Sequence, residues 1–323
     1  MRLFETKICP SDAEKISELL KGGNLGFGQN VILFEQGFAK LSNKEYNIST
    51  NSASAAAFML FAYFKQIYGS CDVYTTSLGF TSPAWAAKHF GHRLIFVDVR
   101  NDLQFCSEDY KRVRGRCQTN SRKVIVMPVL YGGVSMIPDF ELFGDEIVVT
   151  DSAHCATPTI KSDYVFFSFH PYKPICTSDG GMVSTNDEAA SKYFLNYRNF
   201  GRQQGTMNYD ITQSGFKFYM NNLNATIGLT QIERYEENLN NRKLNFTKLA
   251  KRYNLLQHDE MSSYYFATAI TSDAEDIISK TGIARNYPML HKTSYYDVGD
   301  CLPNLERLHS SILNLPLSHE FEI

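Results

Sequence analysis

DSAHCATPTIKSDYVFFSFHPYKPICTSDGG, residues 151 to 181, begins directly after the apolar run Glu146-Ile147-Val148-Val149-Thr150. That run reads as a strand, and it delivers an aspartate at its end. A second strand-like run, Tyr164-Val165-Phe166-Phe167, delivers Ser168, His170 and Lys173. In an open α/β sheet, residues just past the carboxyl ends of the strands line the ligand crevice. Asp151 and Lys173, 22 positions apart, both fall there.

An acid and a lysine so placed suggest pyridoxal phosphate. That cofactor needs a lysine for its Schiff base and an acid to keep its pyridine nitrogen protonated. Each residue alone has an ordinary reading, because a strand-end aspartate often only caps a helix and a loop lysine is usually a solvated charge. The remainder of the chain tips the balance.

The 323 residues exceed one average core, so two domains, or one large domain with a lobe, are expected. Hydrophobic content of 43% and charged content of 20% describe an ordinary globular protein. The net charge of −2 gives no reason to expect nucleic acid or an anionic membrane. Seven scattered cysteines without a C-x-x-C pair favour reduced thiols and a cytoplasmic location over disulfides or zinc. The first seven residues carry charges and no apolar h-region follows, so no signal peptide is expected. No uncharged apolar stretch reaches the length of a membrane span.

Residues 11 to 21 read as an amphipathic helix capped by Ser11, with Ile16, Leu19 and Leu20 on one face. Gly26-Phe27-Gly28 lacks a preceding strand and a third glycine, which favours a bend into a helix from Val31 to Leu41 over a dinucleotide loop. From Tyr46 to Phe58 a short strand passes through small hydroxyl residues into a helix. Such a helix start can bind phosphate through its amides and dipole, the alternative being a plain serine cap. Strands are expected at Asp72–Thr76, Leu94–Asp98, Lys123–Leu130 and Met182–Thr185, with helices alternating between them. Phe80 would lie where one strand opens into the crevice, able to meet a flat ring. A polar loop is expected at Cys106-Ser107-Glu108-Asp109, and residues 198 to 215 form a long loop, either a lid or an interface arm. One helical stretch from Asn222 to Tyr253 then bridges to a small second domain. That domain holds a strand at Tyr264–Ile270, a helix at Asp273–Lys280 and a loop from Arg285 to His291.

Six segments, in order, resemble the DegT/DnrJ/EryC1/StrS aminotransferases, fold-type-I pyridoxal phosphate enzymes that mostly act on nucleotide-linked keto-sugars. Asn51-Ser52-Ala53-Ser54-Ala55 is similar to the family's N-S-G-T-A phosphate turn, and Ser77-Leu78-Gly79-Phe80-Thr81 to its S-x-T-[FW] segment. Pro128 to Gly132 resembles P-V-H-L-Y-G, and Asp151-Ser152-Ala153-His154 resembles D-x-A-[QH]. Ser168 to Lys173 with Asp179-Gly180-Gly181 resembles S-F-[HY]-x-x-K…[ED]-G-G, and Gly282-Ile283 with Tyr287 to His291 resembles G-I…Y-P-x-x-L-H.

The resemblance implies an α/β fold: a large domain, 1–235, with a mostly parallel sheet sandwiched by helices, and a small α+β domain, 236–323. It implies that Lys173 bonds the cofactor and carries protons, that Asp151 pairs with the pyridinium, and that His154 meets the phenolic oxygen. Ala153 and Phe80 would sandwich the ring. Ser54, the Ala55 amide and Ser168 would take the phosphate, completed by Lys217 of the partner subunit in a homodimer with shared active sites. His170, Tyr219 and His291 are candidates for substrate contact, although the histidines can equally serve internal hydrogen bonds. Two departures stand out. Ala53 replaces a glycine, and Tyr219 stands where the family's G-[YF]-[NK]-Y-R-M segment has arginine, which removes a bidentate anion partner. The small domain is expected to be abbreviated. The implied reaction moves an amine from glutamate to a nucleotide-linked keto-sugar, of 4-keto-6-deoxy type, for bacterial surface polysaccharide, lipopolysaccharide O-antigen or glycan synthesis. The alternatives are a small keto phosphate substrate, or a dehydratase or non-catalytic regulatory member; Lys173 argues against the dehydratases, which commonly carry histidine there.

Overall fold

The computed structural model describes residues 8–116, 122–203, 210–283, 287–296 and 301–318. Arg285, Asn286 and residues 204–209 of the long loop lie outside the described residues. The chain opens with α1 (Pro10–Gly22) and α2 (Gln29–Ser42), after which β1 (Tyr46–Thr50) leads into α3 (Ala53–Tyr68). Then β2 (Asp72–Thr76), α4 (Thr81–His89), β3 (Arg93–Val97), α5 (Ser107–Arg116) and β4 (Val124–Met127) alternate. β5 (Ile147–Asp151), β6 (Tyr164–Ser168) and β7 (Gly181–Thr185) follow, then α6 (Glu188–Tyr197). The rest comprises α7 (Asn222–Glu233), α8 (Tyr235–Ala250), β8 (Phe266–Ile270), α9 (Ala274–Thr281), α10 (Pro303–His309) and β9 (Ile312–Pro316).

Seven strands form one sheet in the order β1-β7-β6-β5-β4-β2-β3. All pairings are parallel except those of β7, which runs against both β6 and β1. Six carboxyl ends and the start of β7 therefore share one edge. β8 and β9 pair antiparallel in a second sheet.

Both faces of the large sheet are covered, which is why β4 reads as an unbroken apolar run. On one face lies α3, buried from Ala55 through Phe64 except at Phe58, with α4 and α6 beside it. A helix enclosed on nearly all sides must be apolar nearly all round. On the other face Val31, Phe34 and Phe38 of α2 pack on Val165, Phe167 and Phe169. A further cluster joins Phe96 of β3 and Leu78 and Tyr131 of the large sheet's loops to Phe266, Leu305, Leu313 and Leu315 of the second sheet and its helix. The small sheet is thus seated directly over the carboxyl edge.

Several local expectations change. Cys9, not Ser11, caps α1, because Pro10 can occupy the first helical position without an N–H and Asp12 reaches back to the Cys9 amide at 2.8 Å. Leu20 is 52% exposed, so the apolar face read for α1 is only partly covered by this chain. The segment read as a polar loop at Ser107 begins α5, its Glu108 and Asp109 suiting the positive helix start. The stretch read as one helix from Asn222 is divided at Arg234, whose φ of −104° and ψ of 8° interrupt it. Arg234 there meets the buried Asp12 through two hydrogen bonds, at 2.7 and 2.8 Å. α10 and β9 add to the elements expected from the sequence, one being a seven-residue helix and the other a short apolar run ending in proline.

Phe38 is fully buried against Phe167 and Phe169, with ring centroids at 4.8 and 5.2 Å. Phe38→Ala is expected to destabilise the fold by about 3–5 kcal/mol, read as a lower urea midpoint at unchanged slope.

Candidate active site

Cross-strand register sets the site's width. Ser168 of β6 pairs with Gly181 of β7, and Gly181 with Thr50 of β1, so three strand ends lie in one row. Gly181 is required there: a Cβ would meet the Ala53 nitrogen at 2.4 Å and the Ser52 carbonyl at 2.5 Å. Its absence lets the start of α3 close onto β7 beside Ser168.

On β5, the Asp151 backbone is engaged by the extension of β4, donating to Pro128 O at 2.9 Å and accepting from Leu130 N at 3.0 Å. The side chain is left at the strand's end, 4% exposed, with one oxygen accepting from the Ala153 amide at 3.0 Å. Burial pushes this carboxyl up to about 6, while the Ala153 amide and the positive Lys173 pull it back. Lys173 sits on the turn after β6, its amide donating to His170 O at 2.9 Å. The residue as a whole is half-buried, with its amine at the deep end. Burial lowers that amine to about 7, and Asp151 props it up. The two predicted residues are therefore brought into one desolvated crevice, where each steadies the other's charge without a direct ion pair.

His154 lies beside them, buried among the rings of Tyr131, Tyr265, Phe266 and Tyr287. Its Nε2 is 2.8 Å from the Tyr287 hydroxyl, and its Nδ1 is buried without a partner. Burial, then the nearby Lys173, holds the imidazole well below its ordinary pKa, so the ring is neutral. A neutral imidazole with one nitrogen fixed and the other unmatched is poised for a polar atom of a ligand.

At α3, Ser52 is the cap, its hydroxyl accepting from Ala55 N at 3.1 Å. The amide assigned to phosphate at Ala55 is thereby occupied, and among the described residues the first-turn amides of Ala53 and Ser54 remain as the helix's open donors. Ser54 is exposed at this turn, and Ser168 Oγ accepts only a long bond from His170 N, at 3.4 Å.

The other expected residues are placed unequally. Phe80 is 60% exposed at the start of α4, on the crevice rim. Ala153 is half-buried between Asp151 and His154, and His170 is exposed with its ring edge-on to Tyr172 at 5.1 Å. Lys217 is exposed, its carbonyl accepting from Asn51 Nδ2 at 3.3 Å, so its own chain already holds its backbone beside the α3 start. Tyr219 is half-buried, edge-on to Phe27. The buried arginine nearest it in sequence, Arg198, binds Glu35 and the Ser49 carbonyl. His291 is withdrawn from the crevice: it is 2% exposed, with Nδ1 2.7 Å from Ser77 Oγ and Nε2 3.1 Å from Glu306. It clasps the small sheet's loop to the end of β2, where Leu290 N also donates to Ser77 O at 3.0 Å.

Two site residues were missed. Tyr265 puts its hydroxyl 3.3 Å from Lys173 Nζ, and Tyr287 reaches His154. Tyr264-Tyr265 read as ordinary strand aromatics, and only the Y-P-x-x-L-H resemblance touched Tyr287.

The donor set fits pyridoxal phosphate. It offers a buried acid beside an amine near neutrality, an unmatched buried histidine nitrogen, and a helix start seated against β7 at Gly181. The model of the DegT/DnrJ/EryC1/StrS aminotransferase family matches residues 7–322. The Bacillus subtilis spore coat polysaccharide biosynthesis protein SpsC is 28% identical over 71% of this chain and 63% of its own length. The UDP-4-amino-4,6-dideoxy-N-acetyl-beta-L-altrosamine transaminase of Campylobacter jejuni is 27% identical over 73% of this chain and 65% of its own. The chain thus spans just under two thirds of these curated relatives. The GDP-perosamine synthase of Escherichia coli O157:H7 is 25% identical over 85% of this chain and 79% of its own. Among solved structures, AtS13 from Actinomadura melliaura superposes with a TM-score of 0.86 at 21% identity, over 98% of this chain and 93% of that one. The PLP-form of the putative sugar aminotransferase Spr1654 from Streptococcus pneumoniae gives 0.85 at 20%, over 100% and 94%. These two likenesses establish the fold.

Asp151 carries a raised pKa, so its contribution to stability is complete below its ordinary 3.8 and is lost as pH rises through about 6. Asp151→Asn is therefore expected to make the cofactor-free protein more stable at pH 8, by on the order of 1–3 kcal/mol. That advantage should vanish as pH falls toward 4; urea unfolding at several pH values measures it. Gly181→Ala should push the Ser52–Ala53 turn away and weaken pyridoxal phosphate affinity by about tenfold or more, read by titration.

Proposed function

The chain belongs to the DegT/DnrJ/EryC1/StrS aminotransferase family, and from that membership we propose that it is a pyridoxal phosphate-dependent aminotransferase of nucleotide-linked keto-sugars. Glutamate is the proposed donor and a 4-keto-6-deoxy sugar the proposed acceptor, serving surface polysaccharide or glycan synthesis. The observation that carries this reading is the burial of Asp151 and Lys173 in one crevice at the carboxyl edge of the sheet. The substrate class is supported by the relatives, whose names specify a UDP-linked and a GDP-linked amino sugar.

Pyridoxal phosphate, when bound, supplies an electron sink that lets an amino group leave one carbon skeleton and join another. The protein's part is positional and acid–base. Asp151 would hold the proton of the ring nitrogen, and an anion in a desolvated site does this strongly. Lys173 would bond the cofactor and then carry a proton to and from the reacting carbon. An amine brought down to about 7 by burial is free base in part at neutral pH and can do both. His154 would give its unmatched nitrogen to the phenolic oxygen, with Ala153 and Phe80 on the two faces of the ring. Ser54, the open amides at the start of α3 and Ser168 would bind phosphate, completed by Lys217 of the partner subunit. A homodimer belongs to this reading, supported by the exposed Phe80, Phe200 and Phe216. So does a cytoplasmic setting, supported by six free cysteines among the described residues.

The test is the absorbance of the purified protein with pyridoxal phosphate. A visible band should form, shift to the near ultraviolet on adding glutamate, and return on adding a keto-sugar nucleotide. Lys173→Ala should lack the band and lose turnover by on the order of 10²–10⁴-fold. A wild-type protein that forms no band would sink the assignment, and a band reversed by keto phosphates but not by sugar nucleotides would move the substrate class.

A further inference from the structure

We propose that Tyr265 is the positioning residue for Lys173, its ring face and hydroxyl together holding the ε-amine where it must stand to take up and return a proton. The inference rests on the role given to Lys173 above and adds a residue to it. Lysine carries its charge on a flexible four-carbon stem, so a proton-carrying amine needs something to fix it. Tyr265 lies 2% exposed, with its hydroxyl 3.3 Å from Lys173 Nζ and its ring centroid 4.5 Å away.

The tyrosine is itself held firmly. Its amide donates to Gly132 O at 3.0 Å, and Ser263 N donates to Gly133 O at 2.7 Å. Gly133 has φ +92°, and a Cβ there would meet both the Tyr265 nitrogen and the His154 carbonyl oxygen at 2.8 Å. Only glycine lets the segment leading into β8 come this close. From behind, the buried Arg242 of α8 donates to the carbonyls of Tyr264 and Tyr265 at 3.3 and 3.1 Å. Four separate segments thus converge on the amine: β5 through Asp151, the following turn through His154, the Lys173 loop through His170, and the Tyr265 segment. Of these groups Asp151 and Tyr265 favour the ammonium, one by charge and the other by its ring face and oxygen. His154 and His170, held largely neutral, do not compete.

The sign of the test follows. Burial lowers the amine's pKa and Tyr265 opposes it, so removing the hydroxyl should lower the amine further, and removing the ring as well should lower it most. The visible band of wild-type holoenzyme is recorded first. Full-length protein stripped of cofactor is then labelled competitively with acetic anhydride across pH, with Lys173 followed by mass spectrometry against the exposed Lys192. The midpoint should fall by about half a pH unit in Tyr265→Phe and by about one unit or more in Tyr265→Leu. In holoenzyme, Tyr265→Phe should lower kcat more than it raises KM for the amino donor and retain more activity than Tyr265→Leu. Should Tyr265→Leu fail to fold, the Phe variant alone decides. An unshifted midpoint, or one rising toward the ordinary lysine range as water enters, with the wild-type band present, would overturn the inference alone. An absent wild-type band would overturn it together with the proposed function.

Discussion

Two opposite charges buried in one crevice set the terms for the rest of this molecule. A carboxylate or an ammonium taken out of water alone is costly, and neutralisation is the usual outcome. Here Asp151 drifts up and Lys173 drifts down, each partly restrained by the other. Neither reaches the far end of its range. The crevice thus keeps an acid and an amine that both exchange protons close to neutrality, which is the property a proton-handling site needs.

Holding that pair desolvated requires walls that do not relax. The large sheet supplies the floor, its carboxyl ends aligned by parallel register. The small sheet supplies the lid, sealed through a cluster shared with the loops after β2, β3 and β4. Polar fastenings reinforce the seam. His291 is locked between Ser77 and Glu306, and Asn314 donates to the Tyr131 hydroxyl at 2.8 Å. Because His291 and Asn314 are buried and matched, opening the seam would leave them unpaired. Two glycines with positive φ, Gly132 and Gly133, let the lid approach closely enough for Tyr265 to touch the lysine.

The phosphate end obeys a different constraint. A helix start binds an anion only if its amides are open and its approach is unobstructed. Ser52 closes one amide of α3, while Gly181 lets the helix start pack directly against β7. Substituting alanine for the usual glycine at position 53 is tolerated because Ala53 begins an ordinary right-handed helix. The loss of arginine at position 219 is not made good by Arg198, whose Nη1 is held by Glu35 and the Ser49 carbonyl.

Much of this was legible without coordinates. Strands alternating with helices, the apolar run of β4 among them, imply a covered parallel sheet, and polar residues at the strand ends mark its crevice, so Asp151, His154, Ser168 and Lys173 could be named from pattern and family resemblance. What the sequence leaves open are contacts between distant segments. Whether His291 faces a ligand or a serine depends on a partner 214 positions away, and Tyr265 gains its place through Gly133 and Arg242, neither of which stands near it in the chain. Which hydroxyl caps α3 is settled by side-chain geometry, not residue type, and it is Ser52 that meets the Ala55 amide. Local pattern determines which elements form and which face they bury, because it acts through a period of two or 3.6 residues. Only tertiary packing decides which buried polar groups meet, because desolvation and hydrogen bonding act across space, between residues the pattern treats as unrelated.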